Sequence, residues 1–117
     1  MIETTTALEN LDNILSVSGI DAVYVGPADL SITLGQAPAM DNEGAFEEAR
    51  LNIAESCSKH NVVAGIHANA GLAEKHVAAG FRMVTISSDQ GAMASAARQD
   101  IKVVYGSPKE GGGLSYR

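Results

Sequence analysis

Apolar residues along the chain switch repeatedly between two periods, and each switch marks a change of element. Ala7, Leu8, Leu11, Ile14 and Leu15 fall at spacings of one, three and four. That is the stripe of an amphipathic helix, which Thr4 to Thr6 can cap and Gly19 can stop. Ala22 to Val25 is instead a short continuous apolar run, the pattern of a strand buried on both faces of a parallel sheet. The stretch from Ser31 to Asn42 is polar and carries Gly35 and Pro38, so it reads as a long loop with room for one helical turn. Loops of that length in small proteins are usually functional. Glu43 to Lys59 returns to the helical period, with Phe46, Ala49, Ile53, Ala54 and Cys57 on one stripe. Glu43, Glu47 and Glu48 lie near its start, where the helix dipole favours them. Val62 to Ile66 reads as a strand, Leu72 to Ala79 as a short helix closed by Gly80, and Arg82 to Ile86 as another strand. Ser88 or Asp89 then caps a helix through Ala92, Met93, Ala96 and Ala97, running to about Gln99.

With Met1-Ile2 taken as the end of a further strand, the order is β-α-β-α-β-α-β-α, joined by crossovers expected to be right-handed. Four such units are half of a (β/α)8 TIM barrel. The predicted architecture is therefore α/β over residues 1–100, half of a barrel with parallel strands and helices outside. An open doubly wound sheet shares this order of elements, and periodicity alone leaves it open. Beyond Asp100, Ile101 to Tyr105 reads as a weak strand and Pro108 to Arg117, with Gly111-Gly112-Gly113, as a flexible segment. Residues 101–117 are thus expected to form an irregular tail.

Composition removes several classes of function. The 117 residues suffice for one hydrophobic core, though a closed barrel takes roughly 250. Apolar residues at 45% and charged residues at 19% describe an ordinary globular chain rather than a disordered one. A formal charge of −6 disfavours nucleic acid and anionic membranes as partners, since both demand a basic surface. No apolar run approaches the roughly 18 residues of a membrane span, and no leader pattern opens the chain, so a cytoplasmic soluble protein is expected. The single cysteine, Cys57, cannot form an internal disulfide and reads as inert packing on a helix stripe.

The chemistry lies where apolar runs end. Glu3 follows Met1-Ile2, and Asp29 follows Val23-Tyr24-Val25 through Gly26-Pro27-Ala28. In parallel α/β proteins the loops at the carboxyl ends of the strands converge on one site. Two carboxylates delivered there can share a hard divalent ion, leaving its other positions to water or substrate oxygens. Gly26 lets the backbone approach a ligand closely, while Pro27 fixes the turn and leaves the following amides free for an anion.

The Glu3-Thr4 pair, the helix containing Ala7-Leu8-Glu9-Asn10-Leu11, the string Gly26-Pro27-Ala28-Asp29-Leu30-Ser31, and then Gly80-Phe81-Arg82-Met83-Val84-Thr85 with Ser88-Asp89 resemble the carboxy-terminal half of the HpcH/HpaI aldolases. The resemblance covers about residues 1–100, and its specific part is the Gly-Pro-Ala-Asp-Leu-Ser string. It implies a phosphoenolpyruvate/pyruvate-type barrel and a class II, metal-dependent carbon-carbon lyase. The implied reaction is reversible aldol cleavage of a 2-keto-3-deoxy or 4-hydroxy-2-oxo acid to pyruvate and an aldehyde. Glu3 and Asp29 would bind magnesium or manganese, and the backbone of Gly26, Pro27 and Ala28 would receive the substrate carboxylate.

The remaining polar residues have structural explanations. His67, just past a strand end, reads first as a hydrogen-bonded structural histidine and second as an acid/base candidate. His60 and His76 read as structural or solvated, Arg82 as a surface or ion-pairing residue, and Asp89 as a helix cap. Relatives take their histidine acid/base and their keto-binding arginine from the first half of the barrel, so the catalytic base and arginine are expected upstream of Met1. Arg50, Arg82 and Arg98 lie in the wrong units to replace that arginine. The chain is accordingly expected to be a fragment, inactive without an amino-terminal half, whose open strand edges favour a homo-oligomer or the missing barrel half as partner. Two alternatives are a fragment of a CoA-ester lyase like the citrate lyase β-chain, and a non-catalytic, self-associating module.

Overall fold

The continuous apolar runs become strands. The computed structural model describes residues 1–106, and Met1–Ile86 form one unit while a second begins at Ser87. The expected flexible stretch Pro108–Arg117 lies outside the described residues. In the first unit β1 (Ala22–Val25), β2 (Val63–His67) and β3 (Met83–Thr85) pair in parallel in the order β1-β2-β3. Val25 stands opposite Ile66, and Ile66 opposite Val84. Ile2 adds an isolated parallel bridge to Val25, its amide donating to the Tyr24 carbonyl at 2.8 Å. Spatial order therefore follows chain order from Ile2 through β3, as in a barrel. The strand reversal that defines a doubly wound sheet is absent among the described residues.

The helices depart from expectation in three places. The first predicted helix divides into α1 (Thr5–Glu9) and α2 (Leu11–Leu15). The break is at Asn10, whose amide side chain bonds the Thr6 carbonyl at 2.9 Å and so competes with the helical ladder. Thr4 caps α1 as predicted, accepting from the Ala7 amide. The segment assigned to loop from Ser31 begins inside α3 (Pro27–Thr33), because Pro27 at the first helical position pre-sets the backbone and loses no hydrogen bond there. The loop shrinks to residues 34–44. Next, α4 (Ala45–His60) ends at Asn61 in the left-handed region, φ 56°, and α5 (Ala73–Ala78) is followed by Gly80 at φ 106°.

The third departure is in the second unit, where α6 (Asp89–Tyr105) runs through the expected weak strand Ile101–Tyr105 and ends only at Gly106. The β-branched Val103-Val104 pair suggests a strand, but no Gly or Pro stands between Gly91, in the first turn, and that glycine. Residues 101–105, expected to be irregular, are therefore part of this helix. Its cap is Ser88, accepting from the Gly91 amide at 3.0 Å, while Asp89 is the first helical residue. Among the described residues no helix is long and apolar enough to cross a membrane.

Period-two alternation divides the strands of the first unit. Val23, Val25, Ala64 and Ile66 join Leu11, Leu15, Leu30, Phe46, Ile53 and Phe81 in the core. Tyr24, Gly65 and Met83 share one register level and belong to the other face. A Cβ at Gly65 would meet the Met83 Cε at 2.5 Å and the Tyr24 ring at 2.9 Å, so only glycine fits between them.

The stripe predicted for α4 is buried in full, and it also buries Arg50, at 2% exposure. Arg50 donates from Nε and Nη2 to the two Glu47 oxygens at 2.9 and 2.7 Å. Lys75 on α5 reaches Glu47 at 3.3 Å and Asp41 at 2.8 Å. One chain of charges thereby ties the loop 34–44, α4 and α5 together. His76, fully buried, stands edge-on to Phe81 with ring centroids 5.7 Å apart. Burial, with Arg50 nearby, lowers its pKa and holds it neutral. His60 pairs with Asp12 at 3.1 Å, and Arg82 lies at the surface, reaching the Val77 carbonyl at 3.4 Å.

Hydrogen bonds from Arg50 hold the Glu47 carboxyl at about 2 instead of its ordinary 4.5, Lys75 adding to the effect and partial burial opposing it. The folded state thus binds the proton more weakly than the unfolded chain. Its stabilising contribution is complete above pH 4.5 and lost as pH falls toward about 2. Glu47→Gln should flatten the stability-versus-pH curve across that window in urea titrations, and an unaltered slope would contradict the assignment.

Candidate active site

Ile2 pairing with β1 carries Glu3 to the carboxyl end of the sheet, beside the exit of β1. There Gly26 turns the chain into α3, which places Asp29 in that helix's first turn. The Thr33 hydroxyl donates to the Glu3 carbonyl at 3.0 Å, so the far end of α3 is tied to the residue that faces its start. Glu3 is half-buried and Asp29 exposed. Both line one cavity of about 300 Å3, together with Met1, Tyr24, Gly26, Pro27, Ala28, Met40 and His67.

The need for glycine at position 26 has a specific cause. Its backbone, φ −93° and ψ 99°, is open to any residue. A Cβ there would stand 2.5 Å from Glu3 Oε1, so the space it leaves is occupied by the Glu3 carboxylate. Gly26 also contributes no side-chain cap to α3. The first-turn amides of Ala28 and Asp29 have no acceptor within the helix and can serve an anion.

His67, at the end of β2, lies in the same cavity, its Nδ1 3.4 Å from the Tyr24 hydroxyl. The structure thus brings every sequence-predicted site residue to one cavity: Glu3, Gly26, Pro27, Ala28, Asp29 and His67. Three lining residues escape sequence reasoning, the first being Met1, which reads only as part of a strand end. Tyr24 reads as an ordinary strand residue, although strand alternation puts it on the face opposite Val23 and Val25. Met40 sits within a loop whose path no periodicity signals.

Among the described residues no lysine or arginine lines this cavity, and no three His, Cys, Asp or Glu side chains gather into a metal-sized group. The cavity's acidic side chains are the Glu3/Asp29 pair. A larger groove, about 650 Å3, runs along the opposite ends of the strands past Cys57, Val62, Val63, Gly80 and Arg82. It offers less chemistry, because Cys57 is 1% exposed and burial pushes its thiol pKa up, away from the reactive thiolate.

A family profile described as HpcH/HpaI aldolase/citrate lyase matches residues 1–96. The chain belongs to the HpcH/HpaI aldolase/citrate lyase family. It is 43% identical over 103 residues to a hydroxypyruvate/pyruvate aldolase of Rhizorhabdus wittichii, covering 86% of this chain and 41% of that protein. It is 42% identical over 93 residues to a 2-keto-3-deoxy-L-rhamnonate aldolase of Salmonella paratyphi B, covering 75% of this chain and 33% of the relative. The crystal structure of an HpcH/HpaI aldolase/citrate lyase family protein from Burkholderia cenocepacia superposes with a TM-score of 0.81 at 28% identity, over 88% of this chain and 40% of that one. The chain thus spans between one third and about two fifths of these HpcH/HpaI relatives, and its parallel sheet with helices is part of their barrel fold.

Glu3 reaches its place only because position 26 carries no side chain. Gly26→Ala should therefore swing the flexible Glu3 carboxylate away at a stability cost of about 1 kcal/mol or less. A crystal structure of the variant should show a new Glu3 rotamer over an unmoved backbone. An unmoved carboxylate over a displaced residue 26 would contradict this.

Proposed function

We propose that this chain carries the metal- and 2-oxo-acid-holding side of a class II aldolase site, one that cleaves a 2-keto-3-deoxy or 4-hydroxy-2-oxo acid to pyruvate and an aldehyde. The observation that carries the reading is the convergence of Glu3 and Asp29 on one strand-end cavity beside the Gly26-Pro27-Ala28 turn. The aldolase names of the relatives support the reaction class.

The residues present suit a hard divalent cation. Both acidic groups are oxygen donors, and magnesium is commonly held by one or two carboxylates with water and substrate supplying the rest. The cradle at Gly26, which a Cβ would fill, keeps the Glu3 oxygen turned toward that turn. Glu3 and Asp29 would hold magnesium or manganese, which when bound supplies a Lewis acid for the negative charge that develops during cleavage.

The chain's own groups do the remaining work. The Ala28 and Asp29 amides would orient the substrate carboxylate, while Met1, Tyr24 and Met40 supply apolar wall that limits water. His67 would hold a proton at Nε2, with Nδ1 against the Tyr24 hydroxyl.

Full turnover calls for a cation beside the reacting carbonyl, and Arg50 and Lys75 are committed to Glu47 and Asp41. We therefore assign that cation, and the main acid/base, to residues outside this stretch. A second copy or a complementary barrel segment would dock on the outer sides of Ile2 and β3, where no further strand pairs among the described residues.

In calorimetry, manganese should bind the chain weakly, and Asp29→Asn should abolish the heat while leaving the fold intact by circular dichroism. Undiminished binding would remove Asp29 from the site. In a pyruvate-coupled assay the 117-residue chain should turn over 4-hydroxy-2-oxo acids poorly, since loss of a general acid/base alone costs about 10²- to 10⁴-fold. Co-expression with the amino-terminal half of a related aldolase should restore release that depends on Glu3 and Asp29. Robust metal-dependent turnover by the chain alone would overturn that division of labour.

A further inference from the structure

The geometry points to Lys75 as a positioning residue that seats Met40 as a wall of the strand-end cavity, an inference that rests on the reading of this cavity as the substrate site. Lys75 is on α5 and is not among the cavity's lining residues, whereas Met40 lies within the loop 34–44 and is. What joins them is Asp41, next to Met40 in the chain, which accepts from Lys75 Nζ through both carboxylate oxygens at 3.0 and 2.8 Å.

The flanks of the loop have their own fastenings. Gln36 donates from its amide to the Ser31 carbonyl and from its side chain to the Glu43 carbonyl, and its side-chain oxygen accepts from the Phe46 amide. Asn42 donates to the buried Ser31 hydroxyl and to the Ala37 carbonyl, each at 2.9 Å. At the tip, residues 38–41, the hydrogen bonds found among the described residues are the two from Lys75 to Asp41. Met40 itself is 37% exposed, so packing alone holds it loosely.

Lys75 is in turn held in place. Its second partner, Glu47, is fixed by the fork of buried Arg50, so the ammonium is gripped between a rigid helix carboxylate and the loop carboxylate. Both ion pairs raise the Lys75 pKa, Asp41 contributing most, and the ammonium stays charged throughout the neutral range. The network carries α4 and α5 into the placement of a wall of a cavity to which neither helix contributes a lining residue.

The test follows the Met40 methyl group by NMR in protein labelled with ¹³C-methyl methionine, its signal assigned through Met40→Leu, with no metal or 2-oxo acid present. Lys75→Gln should reduce the ratio of seated to released loop about two- to fivefold, the range of an ion pair open to solvent. The Met40 methyl should then move toward the shift of a solvent-exposed methionine and gain mobility. Lys75→Arg should restore both, and 1 M salt should mimic Lys75→Gln in the wild type. A Met40 signal unchanged in shift and mobility in Lys75→Gln, or unrestored by Lys75→Arg, would overturn the assignment. Because no ligand is used, that failure is separate from a failure of manganese to bind at Asp29.

Discussion

The parallel pairing of Ile2 with β1 is the contact on which the cavity depends. One backbone hydrogen bond, from the Ile2 amide to the Tyr24 carbonyl, sets the register that delivers Glu3 beside Gly26. A slip of one residue would turn Glu3 to the other face, because strand side chains alternate. The missing Cβ at Gly26 then lets the carboxylate settle, and Thr33 ties its backbone to the end of α3. Glu3 and Asp29 are twenty-six positions apart in sequence, and a single crossover segment brings them to one cavity.

The two ends of the sheet are built for different purposes. At the amino ends, a groove lined by Cys57, Val62 and Val63 together with Glu55, Asn61 and Arg82 lies against the last turns of α4. At the carboxyl ends, polar groups from Ile2-Glu3, β1, α3 and β2 converge with a methionine supplied by a loop. Charges within the scaffold serve the second end indirectly. Arg50, buried on α4, is stabilised by Glu47 rather than by water, and removal of Glu47 would strand that buried charge at a cost on the order of several kcal/mol. That rigidity lets Lys75 hold the loop carboxylate of Asp41.

Much of this is legible in the sequence, for physical reasons. Short continuous apolar runs bounded by turn residues read as strands even though one face stays partly open, so β1 falls at the predicted residues and β2 and β3 within one or two of them. The Gly-Pro-Ala-Asp string announces its turn, and parallel topology places its aspartate near Glu3. Where local signals compete, reading fails. Pro27 starts a helix that runs into the stretch from Ser31 whose polarity suggests loop, Asn10 breaks a helix whose apolar stripe is unbroken, and Val103-Val104 resemble a strand inside α6. Contacts made only through tertiary folding leave no local trace. The burial of Arg50 and the path that brings Met40 to the cavity belong to this class.

The central claim is that Glu3 and Asp29 act as one ligand pair. Anomalous diffraction at the manganese edge, from crystals grown with manganese and pyruvate, tests it most directly. The account predicts a single strong peak in the strand-end cavity, about 2.0 to 2.2 Å from a carboxylate oxygen of each residue, with pyruvate completing the coordination beside the Gly26-Pro27-Ala28 turn. A peak bound by only one of the two carboxylates, or manganese located elsewhere while this cavity stays vacant, would contradict it.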